Sequence, residues 1–205
     1  MSQNSELLQA LVQKQAAVDW FKGLFKLANL EITDTGEKFS IVHDGEHAQI
    51  TEGFSSRKPN FVIPLQSENI QRLSATFADK AVTDFEEYRI VKFMLKPCLR
   101  AALTMPILKN KAVLQVAKVD THWQEALLDP QGNEDEQVTI IFVNDQWLVI
   151  PGYHGVPQRR LLLKPAQLLE FQRRLMQADE SGAVADWVQM ARWYVKWRDE
   201  ITVPV

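Results

Sequence analysis

Residues 39–51, FSIVHDGEHAQIT, alternate between apolar and polar side chains around a central Asp44-Gly45 pair. A period of two predicts a half-buried β-hairpin. Asp-Gly suits a two-residue type I′ turn, in which both central residues need positive φ. Such a turn sets Phe39 against Ile50 and Ile41 against Ala48 on one face, with Ser40 against Gln49 and Val42 against His47 on the other. The apolar residues stay together in that register, so turn chemistry and pattern agree. A second ribbon is predicted over residues 138–152, VTIIFVNDQWLVIPG, turning at Asn144-Asp145. It pairs Phe142 with Trp147, Ile140 with Val149 and Ile141 with Leu148. Both of its faces are apolar, which predicts cover on both sides.

Between and around the ribbons the period lengthens. Leu7, Leu11, Val18, Phe21 and Phe25 share one helical arc and predict an amphipathic helix over residues 5–28. Residues 60–66, NFVIPLQ, read as a third strand, and Pro64 places it at an edge or a bulge because proline cannot donate to a ladder. Ser67 is a natural N-cap for a helix carrying Ile70, Leu73 and Phe77. Asp84 is positioned to cap the next helix, in which Pro97 predicts a kink or a division into two. Pro106 closes that run, residues 109–126 take no assignment, and residues 129–137 read as an acidic loop. Helices are predicted over residues 165–177 and 183–198, with residues 153–160, YHGVPQRR, as a loop before them. No tandem repeat shows in the sequence.

Composition narrows the class. The chain has 205 residues, enough for one large domain or two small ones, and 46% hydrophobic residues predict an ordinary packed core. A net charge of −3 argues against general nucleic-acid binding. A single cysteine, Cys98, excludes an intrachain disulfide framework and a cysteine-rich zinc site. Neither a signal peptide nor a run of membrane-spanning length is evident, so the expected location is cytoplasmic.

The stretches ITDTGEKFSIVHDGEHAQITEG (residues 32–53) and PNFVIPLQSENIQRL (residues 59–73) resemble the sterol-carrier-protein-2-like lipid-binding family. The likeness lies in a helix before a two-stranded hairpin, a third strand running directly into SENIQRL, and a later apolar segment followed by two more strands. It extends over roughly residues 5–152. The resemblance implies an α+β fold with a five-stranded, mainly antiparallel sheet covered by helices, and an apolar tunnel between the layers. Residues 1–152 then form the lipid-binding domain, and residues 153–205 an additional C-terminal helical tail packed on it.

The candidate ligand-binding residues follow from pattern and resemblance together. Ile41, Ile63, Met94, Cys98, Met105, Phe142 and Trp147 are the apolar set, and Arg89 and Arg100 the cationic one. On a helical wheel Arg89, Lys92, Lys96 and Arg100 form a basic stripe opposite a wide apolar face, an arrangement that suits an anionic head group or membrane surface. A core helix with a solvated outer face has the same pattern. Cys98 lies in the apolar arc and reads as a buried thiol. His154, with Arg159-Arg160, offers an acid/base or anion-gripping loop, and an ordinary surface loop reads identically. His122 stands near Asp120. His43 and His47 are predicted on opposite faces, which weakens any metal site using both. No nucleophile elbow, phosphate loop, zinc-protease or dinucleotide motif is present. The aromatic tail, residues 187–205, either folds back or forms a homodimer through its Trp-rich helix.

The leading expectation is non-catalytic binding or transfer of a lipid, sterol or fatty-acyl-type ligand, with no cofactor and no metal. The second is a protein–protein interaction module. The third is a small-molecule enzyme using His154 or His122.

Overall fold

The structure is a computed structural model and describes residues 2–77, 82–109, 114–115 and 117–205. It is α+β, and the chain divides into two compact units, Met1–Ala101 and Ala102–Val205. Each has its own sheet.

The first unit opens with two short helices, α1 (Gln3–Val12) and α2 (Gln15–Phe21). Ser2 caps α1 through its hydroxyl, which accepts from the Ser5 amide. Four strands follow: β1 (Leu27–Ile32), β2 (Lys38–His43), β3 (Ala48–Glu52) and β4 (Phe61–Leu65). Their order across the sheet is β3-β2-β1-β4, with β1, β2 and β3 an antiparallel meander and β4 parallel to β1. Helices α3 (Ser67–Thr76) and α4 (Asp84–Ala102) complete this part of the chain. One sheet face carries Ala28, Leu30, Ile32, Phe39, Ile41 and Leu65, all buried. With Leu8, Leu11 and Val18 from the helices they make the core.

The second unit begins with a 3-10 turn at Pro106–Lys109 and continues with β5 (His122–Leu128), β6 (Glu134–Val143), β7 (Gln146–Pro151) and β8 (Arg159–Leu163). Helices α5 (Pro165–Ser181) and α6 (Val184–Glu200) come next, and β9 (Thr202–Val203) ends the chain's regular structure. The sheet runs β7-β6-β5-β8-β9. Every pairing is antiparallel except β5 with β8.

The two units repeat one plan, down to individual hydrogen bonds. In the first, the Ser40 hydroxyl donates to the Gly53 carbonyl (2.9 Å) and accepts from the Ser55 amide (2.6 Å). In the second, the Thr139 hydroxyl donates to the Gly152 carbonyl (2.8 Å) and accepts from the His154 amide (2.9 Å). Both glycines have the positive φ that lets the chain leave the third strand of its meander. At the entry to the fourth strand, the Asn60 side-chain oxygen accepts from the Lys26 and Leu27 amides, and the Gln158 side-chain oxygen accepts from those of Thr121 and His122. Each following helix starts with the same capping box: Asn69 reaches back to the Gln66 amide, and Gln167 to that of Lys164. Side chains of different identity make the same bonds, which is why no repeat shows in the sequence.

The structure corrects several expectations. The predicted helix over residues 5–28 breaks at Gln13-Lys14 and gives way to β1, a central strand. The first hairpin pairs Ile41 with Ile50 and His43 with Ala48, so its loop has four residues, 44–47. Asp44 does not take positive φ; its carboxylate instead accepts from the Glu46 and His47 amides. The two-residue shift leaves each side chain on its predicted face, because the strand period is two. The second hairpin has the predicted register, with Asn144 and Asp145 both at positive φ. Its expected cover is incomplete, since Leu148 is 45% exposed. β4 is an edge strand, as Pro64 requires. Helix α3 is capped by Gln66 rather than Ser67. At the start of α4 it is Thr83 that exchanges hydrogen bonds with Glu86, in place of a cap from Asp84. α4 continues through Pro97 as one helix. The two ribbons do not join in one five-stranded sheet, and residues 153–205 are not a purely helical tail: they supply β8 and β9. Of the unassigned stretch 109–126, residues 110–113 and 116 lie outside the described residues.

Candidate functional site

The second unit buries a carboxylate at the centre of its sheet. Trp123, Glu125 and Leu127 project from one face of β5, by strand alternation. Glu125 stands between Val138 on β6 and Leu161 on β8, which are 0% and 2% exposed. Its Oε1 accepts from the Trp123 indole N–H at 2.7 Å, while its Oε2, also buried, has no hydrogen-bond partner. Desolvation pushes its pKa up to about 7, offset in part by the indole hydrogen bond. Nearby on α6, the Tyr194 hydroxyl is pushed up to about 12, chiefly by burial; the charges of Arg198, Glu125, Asp120 and Arg159 also act on it. The Trp197 indole N–H is buried without an acceptor.

Charged side chains around this centre are held by partners. Arg159 donates to Asp120 at 2.7 Å and to Asp199 at 3.3 Å. Arg198, only 3% exposed, donates to the Lys118 carbonyl and to Asp199, and lies over the Tyr194 ring. Trp193 and Trp197 stack on Phe171 of α5 with ring centroids 6.4 and 5.3 Å apart, so these tail tryptophans fold back within their own unit.

An aromatic chain leads from Glu125 toward the β6–β7 ribbon. The Trp123 ring meets Trp147 edge-on at 5.1 Å, and Trp147 meets Phe142 at 4.8 Å. The Trp147 indole donates to the Leu108 carbonyl at 2.8 Å, tying the 3-10 turn to the ribbon. Phe142, Trp147 and Val149 are half-buried, whereas Val138 and Ile140 farther along the same face are sealed.

The sequence-predicted ligand residues are divided between the units. Ile41, Ile63, Met94, Cys98, Arg89 and Arg100 belong to the first, and Met105, Phe142 and Trp147 to the second. Ile41 and Ile63 are sealed in the first unit's core. Arg89 and Arg100 are exposed on α4, and Lys92 and Lys96 half-buried. Cys98 is exposed, which corrects the buried thiol expected there. Glu125 was missed because residues 109–126 took no assignment. A period-two reading of HWQEALL would have set it beside Trp123 and Leu127, and a carboxylate between two inward apolar residues was the available signal.

The histidines have other work. His154 Nε2 lies 2.7 Å from the Pro151 carbonyl and His122 Nε2 lies 3.0 Å from that of His154, and among the described residues neither imidazole is paired with a carboxylate. Arg160 binds Glu134 and stacks over Tyr153, whose hydroxyl donates to the same Glu134. His43 is buried, with Nδ1 accepting from the Gly45 amide and Nε2 directed at the Val18 carbonyl. Among the described residues no cluster of three or more His, Cys, Asp or Glu could hold a metal ion. No described helix is long and apolar enough to cross a membrane. In the first unit an open groove of about 540 Å³ runs between α1 and β3, lined by Gln9, Val12, Gln13, Ala48, Gln49 and Ile50 among others. Its mixed polar lining is unlike an apolar tunnel.

No family model, no curated protein and no solved structure matches the chain.

Proposed function

We propose that the chain is a non-catalytic binding protein for a lipid, sterol or fatty-acyl-type apolar ligand, and that the second unit carries the site. The tunnel expected between the helices and one sheet containing both ribbons needs those ribbons joined, and they lie in two sheets. The reading therefore moves to the five-stranded sheet of residues 122–203. The observation that carries it is the incomplete cover of the ribbon: Phe142, Trp147 and Val149 stand half-open next to a sealed core, and on the hairpin's opposite face Leu148 and Val143 are 45% and 43% exposed. An apolar surface of this kind gains from covering by an apolar partner, at roughly 25 cal/mol per Å² buried. Native mass spectrometry of the purified chain tests it. Co-purified acyl lipid, or uptake of a fluorescent fatty acid quenched by Trp147→Ala, is the expected result. A ligand-free chain that ignores such probes overturns the proposal.

A second reading, a protein–protein interaction module, rests on α6. Val184 and Val188, one turn apart, are 78% and 42% exposed. Sedimentation of the full chain against the Val184→Asp/Val188→Asp variant distinguishes it: a dimer that this change dissociates favours association over ligand binding.

A further inference from the structure

We propose that Glu125 anchors the hydroxyl end of an otherwise apolar ligand whose body lies along Trp123, Trp147 and Phe142. The inference rests on the reading of the second unit as an apolar-ligand site and names the group that site selects. Leu27 and His122 are equivalent, since each donates its amide to the side-chain oxygen of Asn60 or Gln158 and accepts that residue's own amide at its carbonyl. Three residues on, Leu30 and Glu125 occupy one position of the common plan. Leu30 pairs with Phe39 and Ile63, and Glu125 pairs with their counterparts Val138 and Leu161. The fold thus accepts leucine at this position, and in the second unit the Trp123 indole N–H uses only one of the two carboxylate oxygens.

The carboxylate also leaves hydrogen-bonding capacity unused. Glu125 is 7% exposed and its Oε2 has no partner, a costly state for a buried polar atom. An open buried acceptor calls for a hydrogen-bond donor, and a hydroxyl supplies one without bringing a second charge into the site, as an ammonium group would. A ligand carboxylate would meet the charge of Glu125 above neutral pH. Arg159 and Arg198 do not supply a free cation for a carboxylate, since Asp120 and Asp199 hold them. The aromatic path from Trp123 through Trp147 to Phe142 begins at the residue that hydrogen-bonds Glu125, so anchor and apolar wall are continuous.

The test is titration calorimetry of decan-1-ol, decanoate and decylammonium against the full chain and its Glu125→Leu and Glu125→Gln variants, on either side of the carboxyl's pKa of about 7. Expected is binding of decan-1-ol, weakened roughly tenfold or more in Glu125→Leu and retained in Glu125→Gln, with decanoate weaker than decan-1-ol above neutral pH. The Glu125→Leu chain should still fold, as Leu30 implies, with its melting temperature lowered by loss of the Trp123 indole's acceptor, which Glu125→Gln keeps. If none of the probes binds the parent chain, both the apolar-ligand reading and the anchor are overturned. If decan-1-ol binds Glu125→Leu as tightly as the parent, the anchor alone is overturned. Tighter binding of decanoate above neutral pH overturns the hydroxyl preference, and unfolding of both variants overturns the anchor in favour of a structural carboxylate.

Discussion

Thr139 does in the second unit what Ser40 does in the first: one hydroxyl ties the glycine that ends the third strand of its meander to the amide two residues beyond it. Both hydroxyls are buried, at 0% and 1% exposure, so neither pair of bonds can be replaced by solvent. Replacing Thr139 by Val keeps the shape and leaves the Gly152 carbonyl and the His154 amide short of a partner. It should cost about 1–3 kcal/mol in denaturant unfolding, and Thr139→Ser should restore most of it. Ser40→Ala is expected to act alike in the first unit.

Glu125 makes the stability of the second unit fall with pH. Its folded-state pKa of about 7 lies above the ordinary 4.5, so the folded state holds the proton more tightly than the unfolded one. The contribution is fully present below pH 4.5, declines as pH rises toward about 7, and is lost above it. The whole span is about 3 kcal/mol. Chemical unfolding at a series of pH values should show this decline for the parent chain and not for Glu125→Leu. A parent profile that is flat across the window would refute the buried, unpaired state of this carboxyl.

Asn144 and Asp145 both adopt positive φ, which ordinary side chains adopt at a cost. Asp145→Gly should stabilise the second unit by about 0.5–1 kcal/mol, because glycine takes that backbone geometry freely. Thermal melting reads the change. The matching substitution at Asp44 should bring no such gain, since its φ is already negative and its carboxylate caps two amides.

The Thr83–Glu86 exchange holds the start of α4. Thr83→Ala should destabilise the first unit by about 1 kcal/mol, measured by denaturant unfolding, whereas Asp84→Ala should cost less.

The sequence by itself determined the local elements whose chemistry is short-range. The β6–β7 register follows from Asn144-Asp145 and the apolar pattern around it, helices α5 and α6 from their spacing, and the edge position of β4 from Pro64, which lacks an N–H. It did not reveal where β1 starts, because the helical arc that begins at Leu7 runs on through Phe21 and Phe25 almost to Leu27; only pairing with β2 and β4 selects the extended form over Leu27–Ile32. Nor did it reveal β8, since Arg159-Arg160 reads as loop until β5 supplies its ladder. The repeat was hidden for the same reason. Ser40 and Thr139, Asn60 and Gln158, and Leu30 and Glu125 are equivalent by position, while their identities differ. A backbone bond asks only for an oxygen at the right place, and that place is defined by strands distant in sequence. Tertiary structure alone therefore decided that two like units exist, and that Glu125 fills in one of them the site where the other holds leucine.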